Sequence, residues 1–273
     1  MKDITLGQYF PGNSVIHRLD PRAKLLCVVL YIAMIFVASS VSGVIFSVLL
    51  TLFLIILSGI PLKIFLRGMK PVLFIVLFTT FLNLFLTSGE TLLVDFGFIH
   101  IYLEGLCSSI LIVVRITLLV AGSGLFMTYT TTPIALSDGL ESLLAPLKKI
   151  KVPVHEFSMM LTIALRFIPT IMEETEKIMN AQKARGADFT TGSLVSRAKA
   201  LIPVLIPLFV SAFRRADELA VAMECRCYRG DEGRTRMKIL KYTKSDIAFL
   251  AAGVIFVIGM ILLNRFLPIY RLR

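Results

Sequence analysis

The sequence predicts an all-α integral membrane protein, with about five transmembrane helices plus a cytoplasmic module of three long amphipathic helices. Three observations carry that reading. Of 273 residues, 56% are hydrophobic and 17% charged, where soluble domains average roughly 45–50% and about 25%. Mean hydropathy is +0.83, and the apolar residues gather in long uncharged runs. The basic residues behind the net charge of +11 lie between those runs. They form no strip interleaved with aromatics, which excludes nucleic acid as a partner and fits Lys- and Arg-rich cytoplasmic loops.

Residues 25–62 carry no formal charge. A single helix of that length would reach about 57 Å at ~1.5 Å per residue, against a hydrocarbon core of ~30 Å. The run is therefore two spans, broken near Ser39-Ser40-Val41-Ser42-Gly43. A third span covers 71–87, a fourth about 105–127 and a fifth 247–264. This places transmembrane helices 1–4 in residues 1–128, a cytoplasmic stretch in 129–244 and a C-terminal transmembrane helix in 245–273. The first apolar run begins at Leu25, too far behind Lys2 for a cleavable signal peptide.

The loops set the sidedness. Arg18, Arg22 and Lys24 precede the first span, and Lys63, Arg67 and Lys70 separate the second from the third. The next loop holds Glu90, Asp95 and Glu104 without a Lys or Arg. The N-terminus and the second loop are thus expected in the cytoplasm, and the acidic loop outside. Residues 129–244, with 18 Lys/Arg against 12 Asp/Glu, follow inside. Five spans leave Arg265, Arg271 and Arg273 outside, against the rule. An additional span would move them.

The cytoplasmic stretch reads as three helices. The first starts at Thr132-Pro133, an N-cap followed by proline at the first helical position, and carries Ile134, Leu136, Leu140, Leu143 and Leu144. The second runs from near Pro153 to Arg185. Its apolar residues, from Phe157 and Met160 to Met172 and Ile178, recur at intervals of three and four. Gly186 ends it as a left-handed cap. The third covers about 193–228. Its middle, 201–213, is apolar all round, contains Pro203 and Pro207, and is short for a span. It is expected to lie along the membrane boundary, with an extra span as the alternative.

The last two helices end alike. Ala181-Gln182-Lys183-Ala184-Arg185-Gly186 aligns with Ala222-Met223-Glu224-Cys225-Arg226-Cys227. In each, an arginine stands between small residues, so its guanidinium is free to enter a groove and fork onto a carboxylate. An arginine at a helix C-terminus is also favoured by the helix dipole alone. Upstream, Asp20-Pro21-Arg22-Ala23-Lys24 is either a helix start, with Asp20 capping and Pro21 in the first turn, or a docking element.

These residues resemble a known family, the transmembrane T component of energy-coupling factor (ECF) transporters, the EcfT/CbiQ family of bacterial and archaeal importers. The resemblance spans nearly the whole chain. Asp20, Pro21, Arg22 and Lys24 match the family's Asp-Pro-Arg-x-Lys motif, and Ala184-Arg185-Gly186 matches its first Ala-Arg-Gly motif. Cys225-Arg226-Cys227 takes the place of the second, with cysteine for both Ala and Gly. The resemblance implies a non-catalytic coupling subunit in the cytoplasmic membrane. Two ABC-type ATPases, expected as a heterodimer, would grip one arginine motif each. A substrate-binding S component for a vitamin or metal would dock on this chain within the lipid. No cofactor is expected here, since ATP and Mg would bind the ATPases.

Other chemistry is thin. There is no P-loop and no Gly-x-Ser-x-Gly elbow. Of four cysteines, Cys27 and Cys107 lie in apolar runs, and Cys225 and Cys227 lack the other ligands zinc requires. His17, His100 and His155 are isolated. Arg166, Glu173 and Glu174 are expected in helix-surface ion pairs. Arg115 lies inside the fourth apolar run, where a charge is usually paired or functional, and an interior structural pairing is expected. It is also the one midplane candidate for the alternative function, a self-contained channel or secondary transporter. A membrane enzyme would have to draw on residues such as His155 or Asp188.

Overall fold

The computed structural model describes residues 9–86, 91–96, 99–191, 193–230 and 240–266. Lys2, Glu90, Arg271 and Arg273 of the sequence argument lie outside these. The first unit, Met1–Leu143 with Ile239–Arg273, contains most of the apolar helices. After a short helix α1 (Val15–Arg18), α2 (Pro21–Val37) begins at Asp20, whose side chain accepts the Arg22 N–H at 2.9 Å, with Pro21 in the first turn. The uncharged run breaks where expected: α2 stops at Val37 and Ser40 caps α3 (Val41–Ser58) by accepting the Gly43 N–H. Gly59 ends α3 at φ +66, a left-handed turn that glycine adopts without steric cost.

Helix α4 (Leu62–Leu86) consists of two segments, Lys63–Lys70 and Val72–Phe85, bent by 56° about Pro71. Proline removes an N–H that a straight helix needs. A two-stranded antiparallel ribbon follows, β1 (Leu92–Phe96) with β2 (Ile99–Tyr102), pairing Asp95 with His100 and Phe96 with Ile99. It is the one departure from the all-α expectation among the described residues. It occupies the loop that the charge pattern marked as acidic. Helix α5 (Leu103–Ser123) continues through a π-helical turn, Gly124–Tyr129, and α6 (Pro133–Leu144) comes next. The unit closes with α9 (Lys244–Phe266).

The core of this unit is built on α2, which packs against α5 and α9. Tyr31, Met34 and Ile35 of α2 are buried with Leu118, Leu125, Phe126 and Met260. The Tyr31 hydroxyl donates to the Leu118 carbonyl at 2.9 Å and meets the Thr51 hydroxyl at 2.7 Å. Its ring lies so close to Gly122 that a Cβ there would fall 2.1 Å from Tyr31 Cε1. The break between α2 and α3 is polar and satisfied. Arg115 donates to the Ala38 carbonyl at 2.6 Å and Asn264 to that of Val37 at 2.6 Å, while the Ser40 hydroxyl donates to Asn264 at 2.7 Å. Arg115 thus closes the carbonyl end of α2, the structural pairing expected of it.

The second unit, Leu144–Lys238, holds a 3-10 turn (Ala145–Ile150), α7 (Val154–Ala184) and α8 (Leu194–Cys225). Helix α8 starts at Ser193, which accepts the Ser196 N–H, and runs without interruption through Pro203 and Pro207. Among the described residues, Val41–Ser58, Leu103–Tyr129, Val195–Cys225 and Lys244–Phe266 are each long and apolar enough to cross a membrane. The two segments of bent α4, taken as one span, make a fifth. Helix α2, with 17 residues, is shorter than these.

Candidate functional site

The two arginine motifs sit at the C-termini of α7 and α8, and their backbones follow the same hydrogen-bond pattern. At the end of α7 the Gly186 N–H donates to the Lys183 carbonyl at 2.9 Å and the Ala187 N–H to that of Gln182 at 3.0 Å. At the end of α8 the Cys227 N–H donates to Glu224 at 2.8 Å and the Tyr228 N–H to Met223 at 3.0 Å. Both ends are Schellman motifs, with the arginine at the C-cap and the next residue left-handed. Gly186 has φ +87 and Cys227 φ +55. The sequence carried over only the arginine and the small size of its neighbours for the second motif. The structure adds that Cys227 takes the backbone conformation Gly186 takes in the first. Ala184, Arg185, Gly186, Cys225, Arg226 and Cys227 are all exposed.

Helices α7 and α8 run antiparallel. Glu174 pairs with Arg215 at 2.8 Å, and Gln182 of α7 reaches back to the carbonyl of Pro203 on α8 at 3.4 Å. The Glu174 carboxyl is held below its ordinary value, first by the Ser211 hydroxyl and then by Arg215, against partial desolvation. Arg185 and Arg226 each stand eleven residues beyond this ion pair, in opposite directions. At ~1.5 Å per residue each tip is about 16 Å along its axis from the pair. The two guanidinium groups therefore lie at equal distances along the two helix axes from this ion pair.

The segment after the first tip is ordered by its own side chains. Asp188 accepts from the Thr190 N–H at 2.8 Å, the Thr190 hydroxyl at 2.9 Å, the Thr191 N–H at 3.2 Å and the Thr191 hydroxyl. These donors, the Thr191 hydroxyl foremost, hold its carboxyl well below the usual carboxylate range. Asp188-x-Thr190-Thr191 past a helix-ending glycine is a turn signature, and it could have marked this segment from sequence.

The N-terminal motif folds into an internal knot. Asp20, besides capping α2, donates its N–H to Asp246 at 2.8 Å. Arg22 donates to the Leu240 carbonyl at 2.8 Å, lies 3.6 Å from Asp20 and stacks over Tyr242 at 5.1 Å. Lys24, only 2% exposed, donates to the carbonyls of Thr130 at 2.7 Å and His17 at 3.3 Å. Asp246, fully buried, also accepts the Thr243 N–H at 2.7 Å and its hydroxyl at 2.6 Å. The sequence reading missed Asp246. Its signal was Thr243-x-x-Asp246 before an apolar run, a capping-box pattern. His17 has both ring nitrogens in hydrogen bonds, with Ser14 at 2.7 Å and the Phe10 carbonyl at 2.9 Å.

Comparison with known proteins assigns this arrangement to a family. The family model for CbiQ, described as cobalt transport protein, matches residues 12–237. The energy-coupling factor transporter transmembrane protein EcfT of Ruminiclostridium cellulolyticum is 52% identical over 264 residues, covering 97% of this chain and 98% of its own. The chain belongs to the EcfT/CbiQ family. Its members are transmembrane components of ECF transporters, and the arginine tips lie on a chain of that class. The EcfT protein of Thermosediminibacter oceani is 52% identical over 268 residues, 98% of this chain and 100% of the relative. That of Lactococcus lactis subsp. cremoris is 46% identical over 265 residues, 97% and 99%.

Proposed function

We propose that this chain couples ATP hydrolysis to import. Two ABC-type ATPases, a heterodimer, engage Arg185 and Arg226 from the cytoplasm. Their closure changes the angle between α7 and α8, and this motion passes to a substrate-binding S component for a vitamin or metal. The observation that carries the reading is the pair of matched tips: two Schellman-capped arginines at equal distances from the Glu174–Arg215 ion pair. Equal arms suit a pair of sockets that move together. The small residues beside each guanidinium leave room for a forked carboxylate pair.

The rest of the molecule supports the assignment. Exposed Ile202, Leu205, Ile206, Phe209, Val210 and Phe213 give α8 an apolar surface on which a membrane subunit can slide, and Met160 and Met223 add adaptable contacts. Asp20, Pro21, Arg22 and Lys24 brace the start of α2 and keep the first unit rigid. ATP and Mg belong to the ATPases and catalysis to those partners. A channel or secondary transporter would recruit Arg115, whose guanidinium is instead used on the Ala38 carbonyl.

The test is co-purification of the ATPases with Arg185→Glu/Arg226→Glu protein. The expected result is loss of the ATPases, while the chain still inserts in the membrane and still binds the S component. Full retention of the ATPases by the double variant would sink the proposal.

A further inference from the structure

Between α6 and α7, residues 145–152 read Ala-Pro-Leu-Lys-Lys-Ile-Lys-Val, with three lysines and no acidic residue. The segment is a closed turn. The Lys151 N–H donates to the Lys148 carbonyl at 3.0 Å, the Val152 N–H to that of Leu147 at 3.5 Å, and Lys151 takes φ +61. On this turn Ile150 is 72% exposed, Val152 43% and Leu147 38%, beside exposed Lys148, Lys149 and Lys151. Three open aliphatic side chains alternating with cations are costly in water. They suit a surface that is apolar below and anionic above.

We propose that residues 147–152 are an interfacial anchor that binds anionic phospholipid. Leu147, Ile150 and Val152 enter the boundary between headgroups and acyl chains, and Lys149 and Lys151 meet the phosphates. Position supports this occupant. Ala145 follows Tyr129, the end of a membrane-crossing helix, by sixteen residues. Twelve of those form α6, about 18 Å long at ~1.5 Å per residue. Along the chain, only α6 and three linker residues separate the turn from that helix. Charge supports it as well, since each lysine near an anionic surface is worth roughly fivefold in partition. An acidic protein face would meet Lys149 and Lys151 but gives no reason for three exposed aliphatics. The anchor is independent of the arginine tips, so it stands or falls separately from the coupling proposal.

The chain contains no tryptophan, so Ile150→Trp introduces a single tryptophan that can be excited selectively. The full-length variant is reconstituted in phosphatidylcholine vesicles with or without phosphatidylglycerol, some lipids brominated in the upper acyl chain. With phosphatidylglycerol present, emission is expected to shift blue and to be quenched by the brominated lipid. Adding Lys149→Glu and Lys151→Glu should lower the inserted population by more than about tenfold. Phe36→Trp, at a 64% exposed position of α2, serves as the reconstitution control and is quenched throughout. The proposal is overturned if the residue-150 probe keeps water-like emission while the control is quenched. Quenching that ignores both phosphatidylglycerol and the lysine reversals also overturns it. So does emission that turns blue only when a partner protein is added.

Discussion

Replacing Cys227 with glycine should tighten the second arginine tip. Cys227 closes the α8 cap at φ +55, where the α7 cap uses glycine at φ +87. The left-handed conformation costs a residue with a Cβ about 1–2 kcal/mol. Glycine recovers that, but its freer unfolded chain takes back roughly 0.5–1 kcal/mol. The net gain for Cys227→Gly is then about 0.5–1 kcal/mol, confined to the cap. Local opening governs amide exchange there, so the amides of residues 227 and 228, bonded to Glu224 and Met223, should exchange roughly two- to fivefold more slowly. Gly186→Ala is the mirror experiment. A Cβ at Gly186 meets nothing within 4 Å, so only the backbone conformation is penalised, and the amides of residues 186 and 187 should exchange faster by a similar factor. Hydrogen–deuterium exchange with mass spectrometry on the two tip peptides reads both. Unchanged or faster exchange in Cys227→Gly would show that the tips are not matched left-handed caps.

Gly122→Ala drives a Cβ to 2.1 Å from Tyr31, whose ring is fixed by Thr51 and Leu118. The expected loss is about 2–4 kcal/mol from overpacking and a strained hydrogen bond. It is measured by thermal unfolding in detergent, with Tyr31→Leu restoring part of it in the double variant. Lys24→Met leaves the carbonyls of Thr130 and His17 without their donor and should cost about 2–4 kcal/mol in the same assay, whereas Lys63→Met, on an exposed side chain, should be near neutral. The Asp188 carboxyl is depressed when folded, so its contribution to the turn is complete above the unfolded carboxylate value, near ~4. That contribution is lost only as pH falls through the lower folded value. Carbon-13 NMR of Asp188 should show a carboxyl signal that stays flat from about pH 8 down through about pH 4, where a free aspartate titrates, and Asp188→Ala should loosen the turn across that window.

What was legible in the sequence was local. The stop at Val37, the start at Pro133 and the end at Gly186 are written in Ser, Pro and Gly, residues whose backbone preferences act over one turn. The arginine tips were visible for the same reason. The partners of the N-terminal motif were not, because Asp20 meets a residue 226 positions away. Arg115 was recognisable as needing a partner, but the Ala38 carbonyl that answers it has no sequence signature, since every residue carries one. The requirement at Gly122 exists only because α5 lies against Tyr31. Helix α4 begins at Leu62, ahead of the 71–87 span that the apolar pattern marks, and bends at Pro71, while the ribbon after it lies in a loop that the sequence marks only by its charges.

The knot at Asp20 also has a biosynthetic consequence. A chain made from its N-terminus exposes Asp20 and Lys24 long before the ribosome reaches Thr243 and Asp246. Until the final helix is inserted, the opening of α2 lacks the carboxylate that receives the Asp20 amide. The packing of α2 against α9 can therefore be completed only after α9 has been made, and a polypeptide truncated ahead of Asp246 leaves the start of α2 without that partner.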